Sequence, residues 1–255
     1  AVEGWPIDAA HSMDDLETVL EDFLVKCSKV YLRSKFNSDV DAQVDSAMSR
    51  RDRDRQQHGI GPVAIVDPSN LIAELRLTKS PAEIAQMRHA CEISSIAHVA
   101  AMKHAKPNIG EWQLEAILEG FFRFAGASGI AYPSIVGCGD NATILHYNSN
   151  QMSCGDGEVV LIDAGGEYRG YAADITRSWP INGKFSLAQR EIYELVLKAQ
   201  LAAIEECRVG NPYDAPHKTA CKVLAQGLID LGIIKTSLKE AIASEGELRK
   251  WYMHN

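Results

Sequence analysis

The chain has 255 residues, of which 46% are hydrophobic and 24% charged, and its formal net charge is −8 at pH 7. This length suffices for one large domain or two smaller ones with a packed core. The negative charge argues against a nucleic acid or an anionic membrane as the main partner. No apolar run approaches the roughly 18 residues that span a bilayer, and no signal-peptide pattern opens the chain. We therefore expect a cytoplasmic protein.

The cysteines and the two ends of the chain give further expectations. The six cysteines contain no C-x-x-C pair, so we predict reduced thiols that serve in packing rather than disulfides or a zinc site. The sequence begins at Ala1 without an initiator methionine and stops in WYMHN, directly after a charged, helix-like stretch. We therefore expect an internal fragment of a longer protein, truncated at both ends.

Residues 1–76 alternate helix-like and strand-like segments. MDDLETVLEDFLVKC is helix-like, KVYLR predicts a short strand, a polar helix comes next, and GPVAIVDPSNLI returns to strand and turn residues. No catalytic constellation stands in this region. We interpret it as a domain separate from the rest of the chain.

A second domain is predicted from about residue 77. Ser80 as N-cap, Pro81 at the first helical position and Glu83 form the start of an amphipathic helix, and a second helix is expected over 111–124. From residue 132 to 179 the segments YPSIVG, NATILHYN and VVLIDAGGEYRGYAADITRSW predict strands, and two further helices are expected after them. Helices, then strands, then helices predict an α+β domain with an antiparallel sheet.

Two aspartates stand inside apolar, strand-like runs: Asp163 in VVLIDAGG and Asp174 in YAADITR. Side chains alternate along a strand, so a hairpin around GGEYRG with an even-numbered loop, or an odd loop plus a bulge, puts both on one face. Two neighbouring carboxylates repel unless one holds a proton or a cation lies between them. Carboxylates suit manganese, magnesium or calcium, with imidazole also zinc, cobalt or iron, and a bridging pair suits a two-metal site that activates water.

A simpler interpretation of the aspartates needs no metal. Aspartate is common at turns, so Asp163 could cap the turn after its strand, and Asp174 could pair with Arg177 or Arg169. An unpaired buried charge is costly, which favours the metal interpretation without excluding the simpler one. The residue pattern alone leaves both open.

The segment AYPSIVGCGDNATILHYNSN followed by GEVVLIDAGGEYRGYAADITRSWPINGKFSLAQREIYELVL closely resembles the Xaa-Pro aminopeptidases, also called aminopeptidase P. These are metallopeptidases with the pita-bread fold, shared with prolidase and creatinase. The resemblance runs from about Leu77 to Asn255 through long, specific blocks. It implies that residues 77–255 form an α+β pita-bread catalytic domain, incomplete at its C-terminus. Residues 1–76 would be the latter part of a smaller α/β N-terminal domain of the creatinase and prolidase type.

The resemblance also implies site residues. Asp163 and Asp174 match the first two ligands of a dinuclear manganese site, with Asp174 bridging both ions. His146 and His254 match active-site histidines that do not bind metal; without the resemblance, His146 would be interpreted as a core histidine bonded to backbone. The other three ligands, one histidine and two glutamates, would lie beyond Asn255. The 255-residue piece alone is therefore expected to be inactive.

The implied activity is metal-dependent hydrolysis of the N-terminal Xaa-Pro bond, which releases the first residue from peptides with proline second. The implied cofactors are two divalent metal ions, expected to be Mn2+, and the implied partners are such peptides, with no nucleic acid and no membrane. Members of the family are often dimers or tetramers, so a homo-oligomer is one expectation. Two alternatives stay open: a prolidase that cleaves Xaa-Pro dipeptides, and a non-catalytic pita-bread module that binds peptides or proteins.

Overall fold

The computed structural model describes residues 7–24, 27–35, 38–58, 64–243 and 246–252. The chain divides into two compact units, residues 1–82 and residues 83–255. The assignment of the first unit to a creatinase-type domain stays a prediction.

The first unit combines short helices with a two-stranded parallel sheet. Its described elements are α1 (Leu16–Leu24), β1 (Lys29–Tyr31), α2 (Ser38–His58), β2 (Ala64–Val66) and α3 (Ser69–Leu77). Strands β1 and β2 pair in parallel, and parallel strands need a crossover connection, which α2 supplies. The helix and strand alternation expected from the sequence is confirmed in these segments.

From Pro81 onward the chain contains helices, then strands, then helices, as predicted. The described elements are α4 (Pro81–His104), α5 (Glu111–Phe124), β3 (Gly129–Ile130), β4 (Ile135–Cys138), β5 (Val159–Ala164), β6 (Gly166–Tyr168), β7 (Tyr171–Ala172), β8 (Ile175–Pro180), α6 (Leu187–Glu205), α7 (Ala215–Asp230) and α8 (Leu238–Ala241). Helix α6 shows how local sequence sets a boundary: the Ser186 hydroxyl accepts the Gln189 N–H at 3.2 Å, and the Gln189 side chain accepts the Ser186 N–H at 2.9 Å.

One long hairpin runs through two three-stranded antiparallel sheets, ordered β4-β5-β8 and β3-β6-β7. Its register is continuous, from Val159 opposite Pro180 to Tyr168 opposite Tyr171. The loop is the two residues Arg169 and Gly170, with φ of 50° and 85°. Positive φ at both positions is typical of the tight hairpin turn whose twist matches the strands. Of the two hairpin geometries considered from the sequence, the even-numbered loop is the one that forms.

The main core lies between helices α4 and α5 and one face of β4 and β5. Along β5, Val160, Ile162 and Ala164 are buried, whereas Val159, Leu161 and Asp163 are only half-buried, because alternate side chains point to opposite faces. The buried set packs against residues of both helices, among them Ile93, Ala97, Leu114, Leu118 and Phe122. The opposite face of β5 therefore carries Asp163 away from the core.

A buried histidine links the sheet to helix α4. The ring nitrogens of His98, which is 3% exposed, lie 2.9 Å from the Ser94 carbonyl and 3.0 Å from the Ile175 carbonyl. Burial is the main cause that lowers the pKa of His98, and the two backbone carbonyls oppose this shift. This contact fixes the start of β8, next to Asp174, against the helix.

The prediction that NATILHYN forms a strand is wrong. Residues Gly139–Thr143 form a 3-10 helix, and the chain then turns, with His146 at φ 56°. The apolar residues that suggested a strand, Ile144 and Leu145, are 53% and 56% exposed, so they do not pack as a strand would. Gly137 lies against the backbone of Asn141, which shows how tightly the chain reverses after β4.

The prediction that all cysteines are reduced is also wrong, because Cys138 and Cys154 form a disulfide with a Cα–Cα distance of 5.3 Å. Both are buried in the core, where the end of β4 meets the segment before β5. That meeting is a tertiary contact, which the spacing of the two cysteines in the sequence does not reveal. The four other cysteines, Cys27, Cys91, Cys207 and Cys221, are free thiols as expected.

We expect the double substitution Cys138→Ala and Cys154→Ala to lower the free energy of unfolding of the full-length protein by about 3 kcal/mol, because a cross-link of this span restricts the unfolded chain. The measurement is the midpoint of urea unfolding. Cys91→Ala, at an exposed free thiol, is the control and should leave the midpoint unchanged. Titration of every cysteine as a free thiol in the denatured, unreduced protein would contradict the disulfide.

Among the described residues, no helix combines the length and hydrophobicity that crossing a bilayer requires.

Candidate metal centre

The long hairpin brings the two predicted aspartates onto one face. Asp163 pairs with Thr176, and the same register places Asp174 opposite Gly165. The two carboxylates are therefore diagonal neighbours on adjacent strands, which puts them within reach of one another. Gly165 lies so close to the Ala173 carbonyl that any side chain at this position would overlap it. The expectation that both aspartates share one face is confirmed.

Tyr132 lies between the two carboxylates. Its hydroxyl is 2.6 Å from Asp163 Oδ1 and 3.1 Å from Asp174 Oδ1. Burial raises the pKa of Tyr132 far above its usual range, and the hydrogen bond to Asp163 and the two negative charges raise it further. The phenol therefore keeps its proton and donates it to one carboxylate at a time. Sequence reasoning missed Tyr132, since a tyrosine before a proline at the start of a strand carries no distinctive signal.

The arginine pairing considered from the sequence is not what forms. Arg177 donates to the Thr176 carbonyl at 2.7 Å, and the Arg169 guanidinium lies 5.4 Å from the centre of the Tyr168 ring. Within the described part of the chain, no salt bridge joins Asp174 to either arginine. The two negatively charged carboxylates thus share one neutral hydroxyl. Carboxylate oxygens placed this close together suit a hard divalent cation.

Both aspartates open into a cleft of about 420 Å3, lined by Tyr132, Pro133, Ile135, His146, Asn148, Asp163 and Asp174. His146 reaches this cleft from the connection between β4 and β5, and its side chain is exposed. His146 is therefore not a core histidine, which is what the sequence suggested when the family resemblance was left aside. The fourth predicted residue, His254, lies outside the described residues.

The described residues bring two carboxylates together but form no larger group of metal-binding side chains. Over 7–24, 27–35, 38–58, 64–243 and 246–252, no three histidine, cysteine, aspartate or glutamate side chains are arranged to hold a metal ion. Asp163 and Asp174 fit such a site by their chemistry and their proximity. That further ligands lie beyond residue 255 stays a prediction.

Sequence comparison finds relatives along the whole chain. Residues 85–255 match the model of metallopeptidase family M24. The Xaa-Pro aminopeptidase of Escherichia coli (strain K12) is 37% identical over 254 residues, which cover 100% of this chain and 57% of that protein. The Xaa-Pro aminopeptidase of Haemophilus influenzae is 40% identical over 249 residues, with coverages of 97% and 55%. The chain thus spans about half the length of these relatives.

Superposition on solved structures identifies the same group of proteins as the sequence comparison. Aminopeptidase PepP of Pseudomonas aeruginosa superposes with a TM-score of 0.91 at 38% identity, over 96% of this chain and 55% of that one. Zn-substituted E. coli aminopeptidase P in complex with product gives a TM-score of 0.90 at 37% identity, with coverages of 94% and 55%. The fold is therefore that of the pita-bread metallopeptidases. In this chain the long hairpin carries the pair Asp163 and Asp174. The chain belongs to metallopeptidase family M24.

Proposed function

We propose that the protein containing this chain is a metal-dependent Xaa-Pro aminopeptidase, which removes the first residue from peptides with proline second. One observation carries the proposal: the long hairpin places Asp163 and Asp174 side by side in a cleft that also contains His146. The similarity to Xaa-Pro aminopeptidases along the whole chain supports the choice of substrate.

Asp163 and Asp174 would help to hold two divalent ions, for which we propose Mn2+. When bound, such ions polarise the scissile carbonyl and supply an activated water. The Tyr132 hydroxyl, 2.6 Å from Asp163 Oδ1 and 3.1 Å from Asp174 Oδ1, would orient the carboxylates by donating to one of them at a time. This orientation matters because metal ligands act well only when neighbouring hydrogen bonds fix them.

His146 would handle protons at the scissile bond. The leaving nitrogen belongs to proline and must gain a proton as the bond breaks, and an exposed imidazole in the cleft is a group that can deliver it. We propose that His254 shares this task.

The test uses the full-length protein and an Xaa-Pro-Yaa tripeptide, with Mn2+ or after chelation. We expect release of the N-terminal residue with metal, loss of this activity with chelator, and none with an Xaa-Ala-Yaa control. Cleavage of Xaa-Pro dipeptides alone would identify a prolidase, and a metal-loaded protein that cleaves neither would favour a binding module.

The cytoplasmic location and a homo-oligomeric state stay predictions from the sequence. The disulfide between Cys138 and Cys154 bears against the location, because reducing compartments seldom retain structural disulfides. Alkylation of thiols in intact cells, before lysis, would show whether this pair is oxidised where the protein resides.

A further inference from the structure

Glu111, the first residue of α5, is a fully buried carboxylate that takes no part in the chemistry above. Its two oxygens accept four hydrogen bonds. Oε1 accepts from the Cys138 N–H at 2.9 Å and from Asn141 Nδ2 at 3.0 Å; Oε2 accepts from the Tyr147 hydroxyl at 2.8 Å and from the Met152 N–H at 2.9 Å. A buried carboxylate is stable only with such donors around it.

All four donors come from one segment, residues 138–152, which leads from the end of β4 towards β5. This segment contains no strand of its own and only one short 3-10 helix, so its shape depends on contacts made elsewhere. The disulfide between Cys138 and Cys154 closes the base of the segment. Glu111 therefore accepts the hydrogen bonds that hold the two ends and the middle of this segment together.

Tyr147 connects this acceptor to the cleft. Its hydroxyl donates to Glu111 and accepts from Asn141 Nδ2 at 3.0 Å. His146, the preceding residue, has a left-handed backbone with φ of 56°, a conformation that residues other than glycine adopt only infrequently. Anchoring Tyr147 on the buried side leaves the His146 side chain directed into the cleft.

We propose that Glu111 is the positioning residue for His146, and that it acts through the Tyr147 hydroxyl to hold the imidazole beside Asp163 and Asp174. The proposal rests on the proposed peptidase function for its catalytic consequence. Glu111 is fully buried and does not line the cleft, so it acts only through the residues that it binds.

Tyr147→Phe in the full-length protein removes one hydroxyl and leaves the other three donors to Glu111 in place. We expect kcat for an Xaa-Pro-Yaa peptide to fall by roughly 10- to 100-fold, because outer hydrogen bonds that orient catalytic groups have effects of this size. KM should change less than about twofold, since the proton transfer rather than peptide binding is affected. An unchanged kcat would overturn the proposal.

Tyr171→Phe is the matched control, because the Tyr171 hydroxyl donates to another glutamate, Glu83, at 2.6 Å and neither residue lines the cleft. It removes the same kind of bond and should leave kcat unchanged. A fall in kcat equal to that of Tyr147→Phe would show that loss of any such bond has this effect, and would contradict a positioning role.

A double-mutant cycle tests the route through His146. In a His146→Ala background, adding Tyr147→Phe should lower kcat by less than about twofold, because the residue being positioned is already gone. If the two losses multiply instead, Tyr147 acts by another route and the proposal is wrong.

Hydrogen exchange separates this proposal from the proposed function. In Tyr147→Phe, amides of residues 139–152 should exchange about tenfold faster than in the wild type, while amides of β5 and β8 stay unchanged. This result is expected even if the full-length protein cleaves no Xaa-Pro peptide, an outcome that would overturn the function alone. Unchanged exchange in 139–152 would overturn the positioning role whatever the activity.

Discussion

Replacing Asp174 with Asn in the full-length protein will lower metal-dependent cleavage of Xaa-Pro peptides by at least about 1,000-fold. Metal ions stabilise such transition states by several kcal/mol, and each 1.36 kcal/mol corresponds to about tenfold in rate. A neutral amide is a weaker ligand for a divalent cation than a carboxylate and cannot balance its charge. The measurements are kcat/KM with Mn2+ and the stoichiometry of bound Mn2+ by calorimetry.

Although Asp174→Asn should strongly lower activity, we do not expect it to lower the stability of the metal-free protein. In metal-free protein, Asp163 and Asp174 are two negative charges that share the Tyr132 hydroxyl, so removing one charge relieves repulsion. We therefore expect the unfolding midpoint in chelator to stay equal or rise. Glu191→Gln, which removes an exposed charge on α6, is the control and should leave both activity and Mn2+ binding unchanged. Wild-type activity in Asp174→Asn would remove this residue from the site.

Replacing Gly165 with Ala will destabilise the protein by about 3 kcal/mol or more and will disrupt Mn2+ binding. A Cβ at position 165 would overlap the carbonyl oxygen of Ala173, a backbone atom that cannot rotate away. Overpacking of this kind costs about 1–3 kcal/mol where side chains can shift, and more where backbone must move. Because Asp174 lies opposite Gly165, opening the hairpin here separates the two carboxylates.

Gly120→Ala is the matched control for this change. Gly120 is exposed in α5, and no atom lies within 4 Å of the position that its Cβ would take. Alanine favours a helix over glycine by up to about 1 kcal/mol, so this variant should be as stable as the wild type or more stable. The measurement for both variants is thermal unfolding with and without Mn2+. A Gly165→Ala protein with wild-type stability would mean that the strands are not packed so closely.

The site depends on a strand that serves two purposes at once. One face of β5 buries Val160, Ile162 and Ala164 in the core, and the other presents Asp163 to the cleft. Packing of the buried face holds the strand rigidly, and the rigid strand then fixes the carboxylate. This arrangement keeps the two negative charges together without burying either of them in the core.

Local signals in the sequence determined most of the secondary structure. Helix α5 has the predicted bounds, 111–124, because its amphipathic period is long and clear. The capping box of Ser186 and Gln189 starts α6, since both bonds lie within one turn. The shared face of Asp163 and Asp174 followed from strand alternation and a short even loop, which are also local properties. These patterns left a metal site and a simpler interpretation open, and the prediction that the pair belongs to a two-Mn2+ site came from the resemblance.

The groups that surround the aspartates come from distant parts of the chain and could not be read from local patterns. Tyr132 meets Asp163 across 31 positions in the chain, and Tyr147 meets Glu111 across 36. The disulfide and the turn that replaced the predicted strand arise from the same chain reversal after β4. Periodicity and capping report on neighbours within a few residues, whereas buried polar groups take their partners from whatever the packed fold brings near them. Local sequence patterns therefore predicted most of the elements and the shared face of the two carboxylates, and the packing of distant segments determined the contacts that hold the pair and His146 in place.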